Sequence, residues 1–201
     1  MLREKGHGAK FCSLISGNIT HIVGYAFVDD TDLVTFEMFE ESITLDDITE
    51  KMQDSIDLWE GGLKATGGAI VPEKSWIYPL DFDFDAKGNA QYRKLQDMPY
   101  QFTVKNHNEE RINLQQFEAN VGKETLGVFL APDGNNEQAL QDLLQKAQKW
   151  SDNIRVGHLH PSLVWQAATT TIMKTLEYPL PALTLSYIEC NKVMKAVKKA
   201  Y

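Results

Sequence analysis

An apolar run from Ile22 to Val28 stops abruptly at two neighbouring aspartates, Asp29 and Asp30, and apolar character resumes at Leu33. A chain patterned this way has few local options: two short strands folded back on one another, with the acids held in the turn between them. Adjacent carboxylates repel, and the repulsion raises at least one pKa unless a cation or a hydrogen-bond donor compensates. A hard divalent cation is the simplest compensation, and Mg²⁺ takes one or two carboxylates together with substrate phosphates. The competing reading is plain turn chemistry, because an Asp side chain bonds nearby backbone and is favoured between strands for that reason alone.

The segment after the bend is patterned as a helix. Leu45, Ile48, Met52, Ile56, Trp59 and Leu63 recur at three- and four-residue steps and form one apolar stripe. Thr44 is placed to cap it, Asp46 and Asp47 sit in the first turn where they complement the helix dipole, and Gly61-Gly62 is read as the stop. Beyond it come Pro72, Lys74 and Ser75, then a short aromatic strand from Trp76 to Tyr78. Further on stand Leu126-Gly127-Val128 and Asp133-Gly134. The remainder is helical. One stripe is Leu140, Leu143, Ala147, Trp150 and Ile154, with Asn135 or Asn136 as cap. A second starts at Pro161 and runs through Trp165, Ala168, Ile172 and Leu176 to a break at Tyr178-Pro179. The third holds Ile188, Cys190, Met194 and Val197 beside Lys192, Lys195, Lys198 and Lys199.

Phe27-Val28-Asp29-Asp30, an aromatic residue, any residue and two aspartates on a hairpin, resembles the active-site signature of reverse transcriptases. The later landmarks stand in the order of that family, of the non-LTR kind found in eukaryotic retroelements: Trp59, Gly62-Leu63, the lysine at 74 two residues past Pro72, and Leu126-Gly127-Val128 with Asp133-Gly134, which the resemblance makes a strand and a turn. A glycine within a strand weakens it unless another object approaches the backbone closely, as a primer end would. The resemblance implies an α+β fold. Residues 1–134 would form part of a right-hand polymerase palm, an antiparallel hairpin sheet with a packed helix, and residues 135–201 an all-helical, thumb-like bundle. It implies that Asp29 and Asp30 ligate Mg²⁺ (or Mn²⁺), that Lys74 protonates the leaving pyrophosphate, and that Phe27, Leu126, Gly127 and Val128 support the primer end. The implied activity is metal-dependent addition of deoxynucleotides to a DNA primer on an RNA template.

The chain also departs from the family. The residues before Ile22 hold neither the further metal-binding aspartate nor the Gln-Gly and Ser-Pro loop that precede the family's hairpin, and the basic fingers region is missing too. Met1 is accordingly read as an internal methionine of a longer ancestor or the start of a truncated reading frame. Two-metal catalysis clamps the attacking and leaving oxygens together, so with that aspartate missing the chain by itself is expected to be inactive. The hairpin is expected to lack the strand that it would pair with and to present an open edge. The stretch 79–120 is longer than the family's link and is read as a β insertion. In it Phe82 and Phe84 alternate with Asp81, Asp83 and Asp85, Lys87-Gly88-Asn89 forms a turn, and a second hairpin joins Tyr100–Val104 to Arg111–Leu114.

A net charge of −8 runs against a grip on a phosphate backbone, which is ordinarily basic. The acids gather near the hairpin, however, and much of the lysine lies in the last helices. Cys12 and Cys190 supply neither a disulfide framework nor zinc spacing, no apolar run approaches membrane-spanning length, and the first residues are unlike a signal peptide. An intracellular setting, cytoplasmic or nuclear, is expected, with no membrane partner. Asp81, Asp83 and Asp85 fail the calcium-loop template at Ala86 and Tyr92, and His158 and His160 have no further ligand at a useful spacing. Two alternatives stay open beside the polymerase reading. One is a non-enzymatic retroelement relic or interaction module, and the other is an unrelated acidic α+β domain in which Asp29-Asp30 is only a turn.

Overall fold

The computed structural model describes residues 2, 5, 7–36 and 44–200. In chain order the elements are β1 (Ala9–Cys12), β2 (Ile19–Ile22), β3 (Gly24–Phe27), β4 (Asp30–Leu33), α1 (Leu45–Ala65), β5 (Trp76–Ile77), β6 (Phe82–Phe84), β7 (Ala90–Tyr92), β8 (Thr103–Lys105), β9 (Arg111–Asn113), β10 (Gln115–Gln116), β11 (Lys123–Thr125), β12 (Val128–Leu130), α2 (Glu137–Val156), α3 (Pro161–Ala167), α4 (Met173–Glu177) and α5 (Tyr187–Lys198). The fold is mixed α+β. The described strands form six two-stranded sheets, all antiparallel except β5–β10, rather than one continuous sheet.

The chain divides into two compact units, Met1–Pro79 with Arg93–Phe117, and Leu80–Tyr92 with Glu118–Tyr201. This division does not fall at residue 134: the first hairpin of the insertion, β6–β7, and the hairpin β11–β12 both belong with the helical residues.

The first unit is organised by α1. Thr44 caps it, its hydroxyl accepting from Asp47 N–H at 3.3 Å while the Asp47 carboxylate accepts from Thr44 N–H at 2.7 Å. The Thr44 hydroxyl also donates to the Asp47 carboxylate at 2.6 Å, and the bonds that the carboxylate accepts, from the Thr44 hydroxyl first and the Thr44 N–H second, hold the Asp47 carboxyl below its ordinary value. The helix does not stop at Gly61-Gly62. It continues to Ala65, where Gly67 at φ 84° lets its N–H reach Lys64 O and the Gly68 N–H reach Leu63 O. The left-handed residue ends the helix, and a glycine pair inside one only weakens it.

The buried face of α1 presents Ile56 to Ile77, Phe102, Val104 and Leu114, with Leu33, Met52, Ile70 and Tyr100 packed alongside. Gln53 completes the exposed edge of β8: its amide nitrogen donates to Thr103 O and its amide oxygen accepts from Thr103 N–H, both at 2.9 Å. A polar side chain thus stands in for a missing strand, which satisfies backbone groups that would otherwise be left unpaired.

The second unit is held by Leu143, Ala147, Ala168, Ile172, Leu176, Val193, Ala196 and Val197, which pack the helices α2, α3–α4 and α5 on one another. Between α3 and α4, Ala168–Ile172 forms a π-helical turn. There the Thr170 and Thr171 hydroxyls donate to the carbonyls of Gln166 (2.7 Å) and Ala167 (2.6 Å), competing with the regular ladder. The expected stripe on α5 is rotated: Ile188 is exposed and Cys190 and Met194 are half-buried, while Val193, Ala196 and Val197 are buried. Asn135 rather than Asn136 satisfies the first turn of α2, accepting from Glu137 N–H at 2.8 Å, and the Asn136 amide turns to Thr184.

The insertion folds as its alternation predicts, into the hairpins β6–β7 and β8–β9. Asp85 organises the first turn, accepting from Asn89, Lys87 and the Asn89 side chain, and these bonds lower its pKa.

Candidate functional site

Strands β3 and β4 pair in the register Gly24↔Leu33 to Phe27↔Asp30, leaving Val28 and Asp29 as a two-residue turn. The hairpin is as expected, but the two aspartates do not share its turn. Asp29 lies in the bend and Asp30 opens β4 opposite Phe27. Val28, the first turn residue, is held at φ 58° and is 90% exposed. Hairpin turns that match the strand twist need such an angle, and glycine or asparagine ordinarily supplies it. A β-branched residue there is strained, and strain of this kind concentrates at functional positions. Gly24 is required for a different reason, since a Cβ on it would lie 2.3 Å from Asp32 O.

Alternation along β4 sorts its residues. Thr31 and Leu33 are half-buried, and Leu33 packs with Met52 against the core of the first unit. Asp30 and Asp32 are exposed and share the other face. Loss of hydration, first, and the neighbouring Asp30 carboxylate, second, raise the pKa of Asp32, although the residue as a whole stays exposed. Asp32 is the acid that sequence reading missed. Its signal was the two-residue spacing from Asp30 within a strand, which sets the two carboxylates side by side. Thr35 ties the base of the hairpin to α1 by donating to Met52 Sδ at 3.3 Å.

Phe27 is 63% exposed. Lys74 ends a short 3₁₀ turn, Pro72–Lys74, and is exposed. Among the described residues no hydrogen bond or ion pair joins Lys74 to Asp29 or Asp30. Leu126-Gly127-Val128 is not a strand. Leu126 (φ 51°) and Gly127 (φ 79°) form the turn of β11–β12, and only Val128 is in a strand. The glycine is there because both central positions need positive φ, not because an object approaches a strand. These residues lie in the second unit and the aspartates in the first. The Ala131–Gly134 turn is present, closed by Gly134 N–H donating to Ala131 O at 3.0 Å.

No protein-family model matches the chain, and no significantly similar curated protein or solved structure was found. The chemistry of the hairpin therefore has to be argued from its own atoms. Asp29 and Asp30 offer hard carboxylate oxygens of the kind Mg²⁺ prefers. Among the described residues no group of three or more His, Cys, Asp or Glu is placed to hold a metal ion. The donors fit such an ion in type, and substrate phosphates and water would have to supply the rest of an octahedron. His160 serves as the cap of α3, its Nδ1 2.8 Å from the Ser162 hydroxyl, and His158 occupies a left-handed loop position (φ 49°). No described helix is long and apolar enough to cross a membrane.

Proposed function

We propose that the chain is part of an RNA-directed DNA polymerase of the reverse-transcriptase type, and that Asp29 and Asp30 hold Mg²⁺ (or Mn²⁺) at the tip of the β3–β4 hairpin. The observation that carries this reading is the turn itself. A β-branched residue at φ 58° sets Asp29 at an exposed apex beside Asp30, where glycine would make the same bend without strain. The order of the sequence landmarks supports it, from the hairpin through Trp59, Pro72 and Lys74 to the Asp133-Gly134 turn. The RNA template, DNA primer and deoxynucleoside triphosphates are the partners this reading implies. Ions bound there would neutralise charge that develops on the transferred phosphoryl group. Lys74 is the proposed proton donor to the leaving group, and Phe27 the proposed support of the primer.

Two carboxylates are a thin protein share for a two-metal centre, so the 201-residue chain alone is expected to bind metal weakly and to extend no primer. The decisive measurement is Mn²⁺-induced line broadening of backbone amides, which should centre on residues 28–32 and be lost in Asp29→Asn. Broadening elsewhere, or broadening untouched by Asp29→Asn and Asp30→Asn alike, would reduce the aspartates to turn residues. Primer extension by this chain, abolished by Asp29→Ala, would overturn the expected inactivity while establishing the site.

A further inference from the structure

The ribbon β1–β2 is exposed from Lys10 to Thr20, yet its base is buried: His7 is 6% exposed and Ala9 0%. At that base the His7 imidazole Nε2 lies 2.9 Å from the Asp54 carboxylate on α1, and Lys5 Nζ approaches the same oxygen at 3.5 Å. The backbone of His7 is used as well. Its carbonyl lies 2.6 Å from His21 Nε2 of β2, and its N–H donates to Leu2 O. Gly8, at φ 104°, lies so near β2 that a Cβ would stand 2.5 Å from Ile22 O. His7 Nδ1 is buried without a hydrogen-bond partner. Leaving a buried polar atom unsatisfied is costly, so the imidazole is positioned by what its other nitrogen gains from Asp54.

The consequence runs along the chain. β2 ends at Ile22, and after Val23, whose carbonyl accepts from Val34 N–H at 3.0 Å, the chain enters β3 and the Asp29 turn. We infer that His7 is a clasp: through Asp54 and His21 it fastens the ribbon, and with it the strand leading into the aspartate hairpin, onto α1. His7 and Asp54 are thus positioning residues for the hairpin tip. The clasp rests on the proposed function only for the importance of that tip, since its own geometry is independent of any metal. Among the described residues, the charged groups that face the imidazole are Asp54 from α1 and, around that carboxylate, Lys5; His21 faces its backbone from β2.

The test is site-resolved amide hydrogen exchange on the full chain, with Asp54→Ala, Asp54→Asn and the conservative His7→Gln. Asp54→Ala should speed exchange about tenfold or more in Ala9–Cys12, Ile19–Ile22 and Gly24–Phe27, while α1 and the helices of the second unit keep their rates. Asp54→Asn, which can still accept from Nε2–H, and His7→Gln, whose amide nitrogen can donate in its place, should retain most of the protection. A long-range ¹H–¹⁵N spectrum gives a second readout: the His7 Nε2 proton should be slowly exchanging in the parent chain and fast in Asp54→Ala. Unchanged exchange in β3 would overturn the clasp. A uniform rise that includes α1 would do the same, by showing that the pair only stabilises the unit as a whole. If Mn²⁺ never broadens residues 28–32, the metal reading fails, and the exchange pattern still decides the clasp by itself.

Discussion

Val28 and Leu126 both hold a left-handed turn angle with an ordinary side chain, and the protein treats them differently. Leu126 is braced: its carbonyl accepts from the Tyr178 hydroxyl at 2.9 Å, and a Cβ on Gly127 would meet the same ring at 3.7 Å. A Leu126-Gly127 turn needs positive φ at both positions, where Asn-Gly is the favoured pair. Leu126→Asn is therefore expected to raise stability by about 0.5–1 kcal/mol, read from the urea midpoint. Val28 is so exposed that its side chain adds little burial. Val28→Gly should relieve the turn and stabilise the hairpin by up to about 1 kcal/mol after the entropy of glycine is counted. If the strain helps aim Asp29, the same change weakens Mn²⁺ broadening at residues 28–32, and unchanged broadening would separate the turn angle from metal binding. None of this was legible in the sequence. Composition marks a bend at Asp29-Asp30, but whether one or both acids lie in it depends on the register of four cross-strand pairs.

At the scale of elements, α1 is fastened to the insertion by charge as well as by its apolar face. Arg111 on β9 makes a forked contact with Asp57, at 3.2 Å from one nitrogen and 2.9 Å from the other. Burial pushes the Asp57 carboxyl up, but hydrogen bonds from Arg111 and Gln53 outweigh it and the net pKa is lowered. A carboxyl lowered on folding contributes stability above its ordinary pKa, and that contribution is lost as pH falls toward the lowered value. Asp32 is raised and has the opposite sign: its contribution is present at low pH and is lost as pH climbs through the raised value. Removing Arg111 should flatten the acid limb of the stability profile, where pH falls from the ordinary carboxylate range toward the lowered Asp57 value. Because both partners are substantially exposed, an Asp57–Arg111 double-mutant cycle is expected to yield only about 0.5–1 kcal/mol. Periodicity located α1, α2 and the Pro161 helix, but on the last the buried stripe is Val164, Ala168, Ile172 and Leu176, and Trp165, expected in it, is 63% exposed. Periodicity misplaced the end of α1, where a left-handed Gly67 rather than the Gly61-Gly62 pair does the stopping. It also misjudged α5, whose exposed Tyr187 and Ile188 are apolar residues outside the core.

Across the whole molecule, each unit carries its own apolar core. Leu143, 2% exposed, lies within that of the second unit. Leu143→Ala is expected to cost about 2–4 kcal/mol and to speed amide exchange in α2, α3–α4 and α5. A matching loss in α1 would mean that the two cores unfold as one. The α+β character and the helical end were legible from pattern alone, because each follows from periodicity within a short window. The grouping of segments was not, since it depends on long-range contacts that no local pattern encodes. Thus β6–β7 has the alternation of a local hairpin, yet it joins the helical unit while the segments on both sides of it join the other. During vectorial synthesis the first unit has all its segments only once Phe117 has left the ribosome, and the Leu80–Tyr92 hairpin then waits for partners that emerge later. No single cut separates the two units, so a fragment ending anywhere between Leu80 and Phe117 leaves both of them incomplete.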